Sequence, residues 1–258
     1  MNEKLSIILC SRNDFYKGSS LKRLTNTLNC ITFFIEKLNL INRVEVIVCD
    51  YFSETPIIES INLYKKKDFI KILTPSKKFC KESVFSIPHA LNFCIDHCSF
   101  NFILKIDQDT IPGISFFDWF FSSSKLPNLA YSQSRSLDEL QSKDPIKHVL
   151  SDDINEFVIN QPHYAYNCFY RNNICPFFGS ARGIFIFNKS LINQRSFLNE
   201  DLIFKKYIDI NFINSLCAHS PVYNLGLKLN FDFYHQYHSS NLDEKLNSPL
   251  YKSNFFNY

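Results

Sequence analysis

Apolar positions fall into short alternating blocks along the first third of the chain. LSIILCS, from Leu5 to Ser11, is an unbroken Ile-rich run with the length of a buried strand. The next stretch, SSLKRLTNTLNCITFFIEKLNL, changes period. Leu21, Leu24, Leu28, Ile31, Phe34, Ile35 and Leu38 share one helical face, and Ser19 or Ser20 can cap it. VEVIVCDYFS predicts a second strand ending at Asp50, TPIIESINLY a short helix and IKILTPS a third strand. IPHALNFCIDHC predicts another helix and FNFILKID a fourth strand. Strands and helices in this alternation imply a parallel sheet covered on both faces. Ligands on such sheets bind at the carboxyl ends of the strands, where Ser11, Asp50 and Asp107 all stand.

After Pro112 the rhythm changes. GISFFDWFFSS predicts a helix that packs aromatics inward, with a membrane surface as an alternative contact. Residues 132–175 are polar and irregular, and SKDPIKHVLSDDINE reads as a mobile loop. FFGSARGIFIFNKS predicts a strand punctuated by glycine, NEDLIFKKYIDINFINSLCAHS a helical stretch, and LKLNFDFYHQYHSS an alternating strand that ends in two histidines. There is no internal repeat and no low-complexity linker, so a single domain with unequal halves is expected.

Composition narrows the field. An apolar fraction of 45% over 258 residues suffices for a full core. A net charge of +3 is too small to argue for a nucleic-acid partner. The nine cysteines form no Cys-x-x-Cys pair and sit mostly in apolar runs, the pattern of buried thiols in a reducing compartment. Cys94 and Cys98, at helical spacing, could be a metal or redox pair or simple core packing. The opening MNEKLSIILCSRND lacks a leader-like apolar region, and no segment has the ~20 apolar residues of a membrane span. A cytoplasmic protein, with peripheral membrane contact as the alternative, is expected.

Candidate chemistry concentrates in FILKIDQDTIP. Asp107 and Asp109 stand one residue apart at the end of a strand expected to be buried. If the segment stays extended, both carboxylates face one spot. Like charges that close need a cation, and oxygen ligands favour a hard divalent ion. A solvated Asp-x-Asp turn satisfies the same pattern. His235 and His238, in FYHQYHSS, are the second candidate group, as metal ligands or as surface histidines.

The order of these parts resembles the metal-dependent glycosyltransferases of the GT-A fold, the family-2-like and galactosyltransferase-like group. IILCSRNDF looks like their first nucleotide-binding strand and loop, and VIVCDYFS like the strand whose terminal acid meets the nucleoside. HALNFCIDHCSFNFILKIDQD is similar to their A-x-N-x-G-x-x-x-A helix running into an Asp-x-Asp strand. Ala90 and Asn92 match, whereas Cys94 and Cys98 stand where Gly and Ala are usual. GSARGIFIFNKSLINQRSFLNEDLIFKKYIDINF resembles the Gly-x-Phe strand, here opened by Gly183, and the segment holding the catalytic acid. YHQYH is similar to the late histidine-containing metal segment. The resemblance runs from Leu5 to about Ser239.

It implies an α/β, GT-A-like fold: a mainly parallel, Rossmann-like sheet flanked by helices, with a smaller mixed C-terminal sheet. Residues 1–112 would form a nucleotide-binding half and residues 113–258 an acceptor-binding half. It further implies a nucleotide-sugar donor, UDP-sugar favoured, a glycan or glycoconjugate hydroxyl acceptor, and Mn²⁺ or Mg²⁺. Metal ligands would come from Asp109, His235 and His238, with His235 favoured over His238. Ser11, Arg12, Asn13, Asp50, Asn92, Asp107 and Gly183 would bind donor. Asp209 in KYIDINF matches the base of inverting enzymes, with Glu200 and Asp201 as rivals. Two other classes remain, a nucleotidyltransferase acting on sugar phosphates and an inactive sugar-binding module. The single glycine of SRNDFYKGSS counts against a triphosphate-binding loop.

Overall fold

The structure is a computed structural model. It describes residues 3–14, 19–61, 67–76, 85–132, 134–149, 167–168, 177–178, 183–192, 198, 200, 216, 220, 223–225 and 233–238. Strand β1 (Leu5–Ser11) leads into helix α1 (Ser20–Lys37), and the Ser19 hydroxyl caps that helix by accepting from the Lys22 amide at 3.1 Å. Strand β2 (Val44–Asp50), the one-turn helix α2 (Ile57–Ser60), β3 (Ile70–Leu73), α3 (Ile87–Asp96) and β4 (Phe102–Lys105) follow in the expected order. Thereafter come β5 (Thr110–Pro112), α4 (Ile114–Ser122), β6 (Leu129–Ser132), β7 (Ser134–Ser136), α5 (Pro145–Val149), β8 (Asn167–Cys168), β9 (Phe177–Phe178), β10 (Ile184–Asn188), β11 (Tyr223–Asn224) and β12 (Phe233–His235).

The main sheet has the order β11-β6-β10-β4-β1-β2-β3, and only β10 runs against its neighbours. Side chains alternate across it with period two. Leu5, Ile7, Leu9, Val46, Val48, Leu104 and Ile186 face a core shared with α1 and α4. Ile8, Ile47, Cys49, Ile103, Phe185 and Phe187 face a second core shared with α3. Phe116, Phe117 and Phe120 of α4 are buried, as the sequence pattern predicts. A second, smaller sheet has the order β5-β12-β7; β12 is antiparallel to β5 and parallel to β7, so this sheet is mixed.

One sequence expectation changes. The stretch read as a mobile loop from Ser142 holds part of a 3₁₀ turn (Gln141–Lys143) and α5, which Pro145 opens. The helical stretch expected over 199–220 lies outside the described residues except for Glu200, Leu216 and Ser220. Cys30, Cys49, Cys94 and Cys98 are buried thiols, and burial pushes Cys30 and Cys98 up to about 12. Thiols held in this form are poor metal ligands and poor nucleophiles. Among the described residues no helix is long and apolar enough to cross a membrane.

At the amino ends of the strands one acid ties the layers together. Glu45 accepts from Ser6 Oγ at 2.7 Å, from the Ser99 amide at 2.6 Å and from Lys71 Nζ at 2.9 Å. Burial works against its charge, but the hydrogen bonds from Ser6, Lys71 and Ser99 outweigh it and hold its carboxyl below the usual value. A depressed folded pKa means the stabilisation is complete above the unfolded pKa and is lost as pH falls through the folded one. Glu45→Gln should therefore cost about 2–4 kcal/mol near neutral pH. Urea unfolding of the variant should also lose part of the wild-type decline in stability as pH falls below the ordinary carboxyl value of 4.5 and through the folded one.

Candidate functional site

The carboxyl end of β4 does not continue as an extended strand. The Thr110 amide donates to the Asp107 carbonyl at 3.0 Å, so Asp107–Thr110 is a tight turn before β5 begins. That closure corrects the expectation that the two acids share one direction. Asp107 bonds Lys105 Nζ at 3.1 Å, and Lys105 lies over the Phe185 ring at 5.6 Å, on the α3 face of the sheet. Asp109 meets Arg23 of α1, His235 and His238.

Each residue of the turn is anchored separately. Lys105, 3% exposed, has its ammonium in reach of the Asp107 carboxylate, and burial without an anion would be costly. Gly183, at φ +71°, passes so close to Asp107 that an added Cβ would lie 2.5 Å from Oδ2. Gln108 receives the Ser11 hydroxyl on its side-chain oxygen, and Thr27 Oγ1 donates to its carbonyl at 2.9 Å. The Asp109 carbonyl accepts the Gln236 amide at 2.9 Å, extending the β5–β12 ladder.

Asp109 is only 8% exposed. Its Oδ1 lies 3.6 Å from His235 Nε2, and its Oδ2 lies 3.4 Å from His238 Nε2 and 3.9 Å from Arg23 Nε. Burial opposes its ionisation, but the hydrogen bond from His238 and the charges of His235, His238 and Arg23 outweigh it, so the carboxyl is held below its usual pKa. Both imidazoles reach the acid, where the sequence favoured His235. Strand β12 ends at His235, and three residues on the His238 ring meets the same carboxylate. The two ring centroids are 5.0 Å apart, at 63°.

Asp109, His235 and His238 each offer one ligand atom, all within 4.8 Å of one another. Two donors each ~2.1 Å from an ion stand about 3.0–3.4 Å apart at octahedral or tetrahedral angles. The 3.6 and 3.4 Å separations run to the two different oxygens of the carboxylate, and with all three ligand atoms within 4.8 Å of one another the group needs a modest closing to meet that range. One carboxylate oxygen and two imidazole nitrogens also suit a borderline divalent ion. These residues fit a metal.

Of the other expected site residues, Ser11, Arg12, Asn13 and Asp50 lie at or just past neighbouring strand ends, and Asn92 lies on α3. Ser11 is buried and Arg12 half-buried at the end of β1. The Asn13 amide donates to Ser53 Oγ at 2.8 Å, and its Nδ2 to the Thr55 carbonyl at 3.3 Å. Asp50 accepts from Ser53 Oγ and from the Ile57 amide at 2.8 Å, which secures the start of α2. Asn92 donates to Glu200 Oε1 at 2.7 Å and exchanges bonds with the Leu198 backbone, at 3.0 Å to the carbonyl and 2.9 Å from the amide. Asp209 and Asp201 lie outside the described residues.

Four residues at the site were not singled out from sequence: Arg23, Thr27, Lys105 and Gln236. Lys105 carried a visible signal, a lone charge inside the apolar run FILKI. The others carried none, because their partners are remote in the chain.

A mainly parallel sheet, one reversed strand, an acid turn after the fourth strand and a small sheet returning histidines to that turn together define a GT-A fold. No family model matches the chain, and no curated protein sequence does. Among solved structures it is similar to residues 1–349 of S. aureus TarS, with a TM-score of 0.55 and 15% identity over 90% of this chain. The UDP-GlcNAc complex of TarS gives a TM-score of 0.55 and 14% identity over 92%, and the UDP complex 0.55 and 16% over 91%. This chain spans only 60% of that TarS structure. At these identities the likeness is one of fold.

Gly183→Ala places a side chain both in the left-handed region and against the Asp107 carboxylate. It should lower the unfolding free energy by about 1–2 kcal/mol for the backbone alone, read in urea, and displace Asp107 from Lys105.

Proposed function

We propose that this protein is a glycosyltransferase that moves a hexosyl group from a nucleotide-diphosphate sugar, UDP-linked, to a hydroxyl of a glycan or glycoconjugate. The observation that carries this reading is the meeting of Asp109, His235 and His238 at the carboxyl edge of a GT-A sheet. TarS, which shares the fold, is described in complex with UDP and with UDP-GlcNAc.

In this reading Asp109, His235 and His238 hold a divalent ion, Mn²⁺ in preference to Mg²⁺ because two of the three ligands are imidazoles. When bound, that ion supplies positive charge that offsets the charge developing on the leaving diphosphate. Arg12, at the end of β1, is suited to a charge-assisted bond with phosphate. Ser11, Asn13 and Asp50 border the nucleoside, with Asp50 already oriented by Ser53 and Ile57. Asp107, oriented by Lys105, accepts from the ribose or sugar hydroxyls, and Gly183 lets the chain approach it closely. Asn92 steadies the segment around Glu200.

Asp209 takes the proton from the acceptor hydroxyl. The acceptor oxygen forms the new bond to the anomeric carbon as the bond to the diphosphate breaks, and the electron pair leaves on the phosphate oxygen. Configuration inverts. Glu200 is the rival base, and its bond to Asn92 keeps it in contention.

UDP with Mn²⁺ should stabilise the wild type by ~2.7 kcal/mol at 100 times its dissociation constant, read as a thermal shift. Asp109→Ala should lose the Mn²⁺-dependent part. A variant that responds like wild type would move the metal elsewhere.

Asp209→Asn keeps shape but removes the proton acceptor. Its kcat should fall roughly 10²–10⁴-fold while UDP binding persists, measured beside Glu200→Gln as the rival. Near-normal turnover in Asp209→Asn would transfer the role to Glu200 or Asp201, which the same substitution at each would separate.

A further inference from the structure

Gln236 sits between the two histidines and is wholly buried. Its amide nitrogen donates to the Arg23 carbonyl and to Thr27 Oγ1, both at 2.9 Å. Its Oε1 accepts from Asn26 Nδ2 at 3.0 Å. Both donors and one acceptor position of the side chain are therefore used, all on one helix. Its backbone amide meanwhile bonds the Asp109 carbonyl at 2.9 Å. Thr27 passes the connection on, since its hydroxyl accepts from Gln236 and donates to the Gln108 carbonyl.

This one residue thus touches every part that must converge. It fixes the chain between His235 and His238. It grips the turn of α1 from which Arg23 reaches Asp109. It bonds Asp109 and, through Thr27, the residue before it. Among the described residues the Nδ1 of His238 is buried and makes no hydrogen bond. The direction of that ring depends on the backbone that carries it, which Gln236 holds together with the bond from the Tyr237 amide to Ser142 Oγ at 2.7 Å.

We propose that Gln236 is the positioning residue of the site, holding both imidazoles on Asp109 without contacting ligand itself. The inference rests on reading Asp109, His235 and His238 as metal ligands, and it adds a named residue on which their geometry depends. Supporting residues behind a metal site typically alter affinity 10–100-fold when replaced.

The test uses the full chain with Mn²⁺ and UDP as probes. Gln236→Leu keeps the bulk and removes every side-chain bond. Thr27→Val removes one bond and leaves the amide in place. Mn²⁺ affinity by calorimetry, in the presence of UDP, should weaken ~10–100-fold in Gln236→Leu and several-fold in Thr27→Val. A second readout needs no metal: the imidazole NMR resonances of His235 and His238 should each shift and broaden in Gln236→Leu. Variants with a lower Tm but wild-type Mn²⁺ affinity and unchanged ring resonances would overturn the proposal and leave Gln236 a packing residue. If Gln236→Leu does not fold, Thr27→Val with wild-type affinity and unchanged ring resonances overturns it. If the wild type binds no Mn²⁺, the metal reading falls, and the ring resonances still decide whether Gln236 holds the histidines.

Discussion

The buried charge of Asp109 is the constraint around which the carboxyl edge is built. A carboxylate taken out of water costs several kcal/mol unless cations and donors surround it. Here the compensation comes from three directions: Arg23 from the helix after the first strand, and His235 and His238 from the far end of the described chain. None of these neighbours lies near Asp109 in sequence. The small sheet and the packing of β12 against α1 follow from the need to bring them there. The same charge that must be neutralised in the protein is the charge a divalent ion would use.

The turn sends apart two acids that the sequence motif sets side by side. Asp107 belongs with Lys105, Phe185 and Gly183 on the α3 face. Asp109 belongs with α1 and β12 on the other. One acid is half open to solvent, its side chain 51% exposed, and the other is enclosed. An open carboxylate suits hydroxyl recognition, and an enclosed one with convergent imidazoles suits a cation. The three bridging bonds at Gln108 and the Asp109 backbone keep the two directions from interchanging.

The sheet strands were legible because burial on both faces leaves unbroken apolar runs, as in LSIILCS and VEVIVCD. Helix α1 was legible down to its cap, since Ser19 precedes a clean 3.6-residue stripe. The residue types of the site were legible too, in Asp109 and the histidine pair. Their directions were not. Strand alternation puts both acids on one side only if the chain stays extended through Asp109, and a single hydrogen bond from the Thr110 amide to the Asp107 carbonyl ends that extension. Gln236 and Arg23 were invisible for a different reason: their bond spans 213 positions, and local periodicity holds no information at that separation.

That separation also orders events in time. Strands β1 to β4 draw only on residues 5–105 and can pair as soon as that length of chain exists. The enclosure of Asp109 must wait for residues 233–238, so it closes over a loop of more than a hundred residues, with the entropy cost that such a closure carries. Until then Asp109 sits at the edge of a formed sheet with its carboxylate wet and its affinity for cations low. The strand ends and the enclosed charge of Asp109 thus mature separately. A partly made chain presents the carboxyl edge of its sheet before the acid at that edge is enclosed.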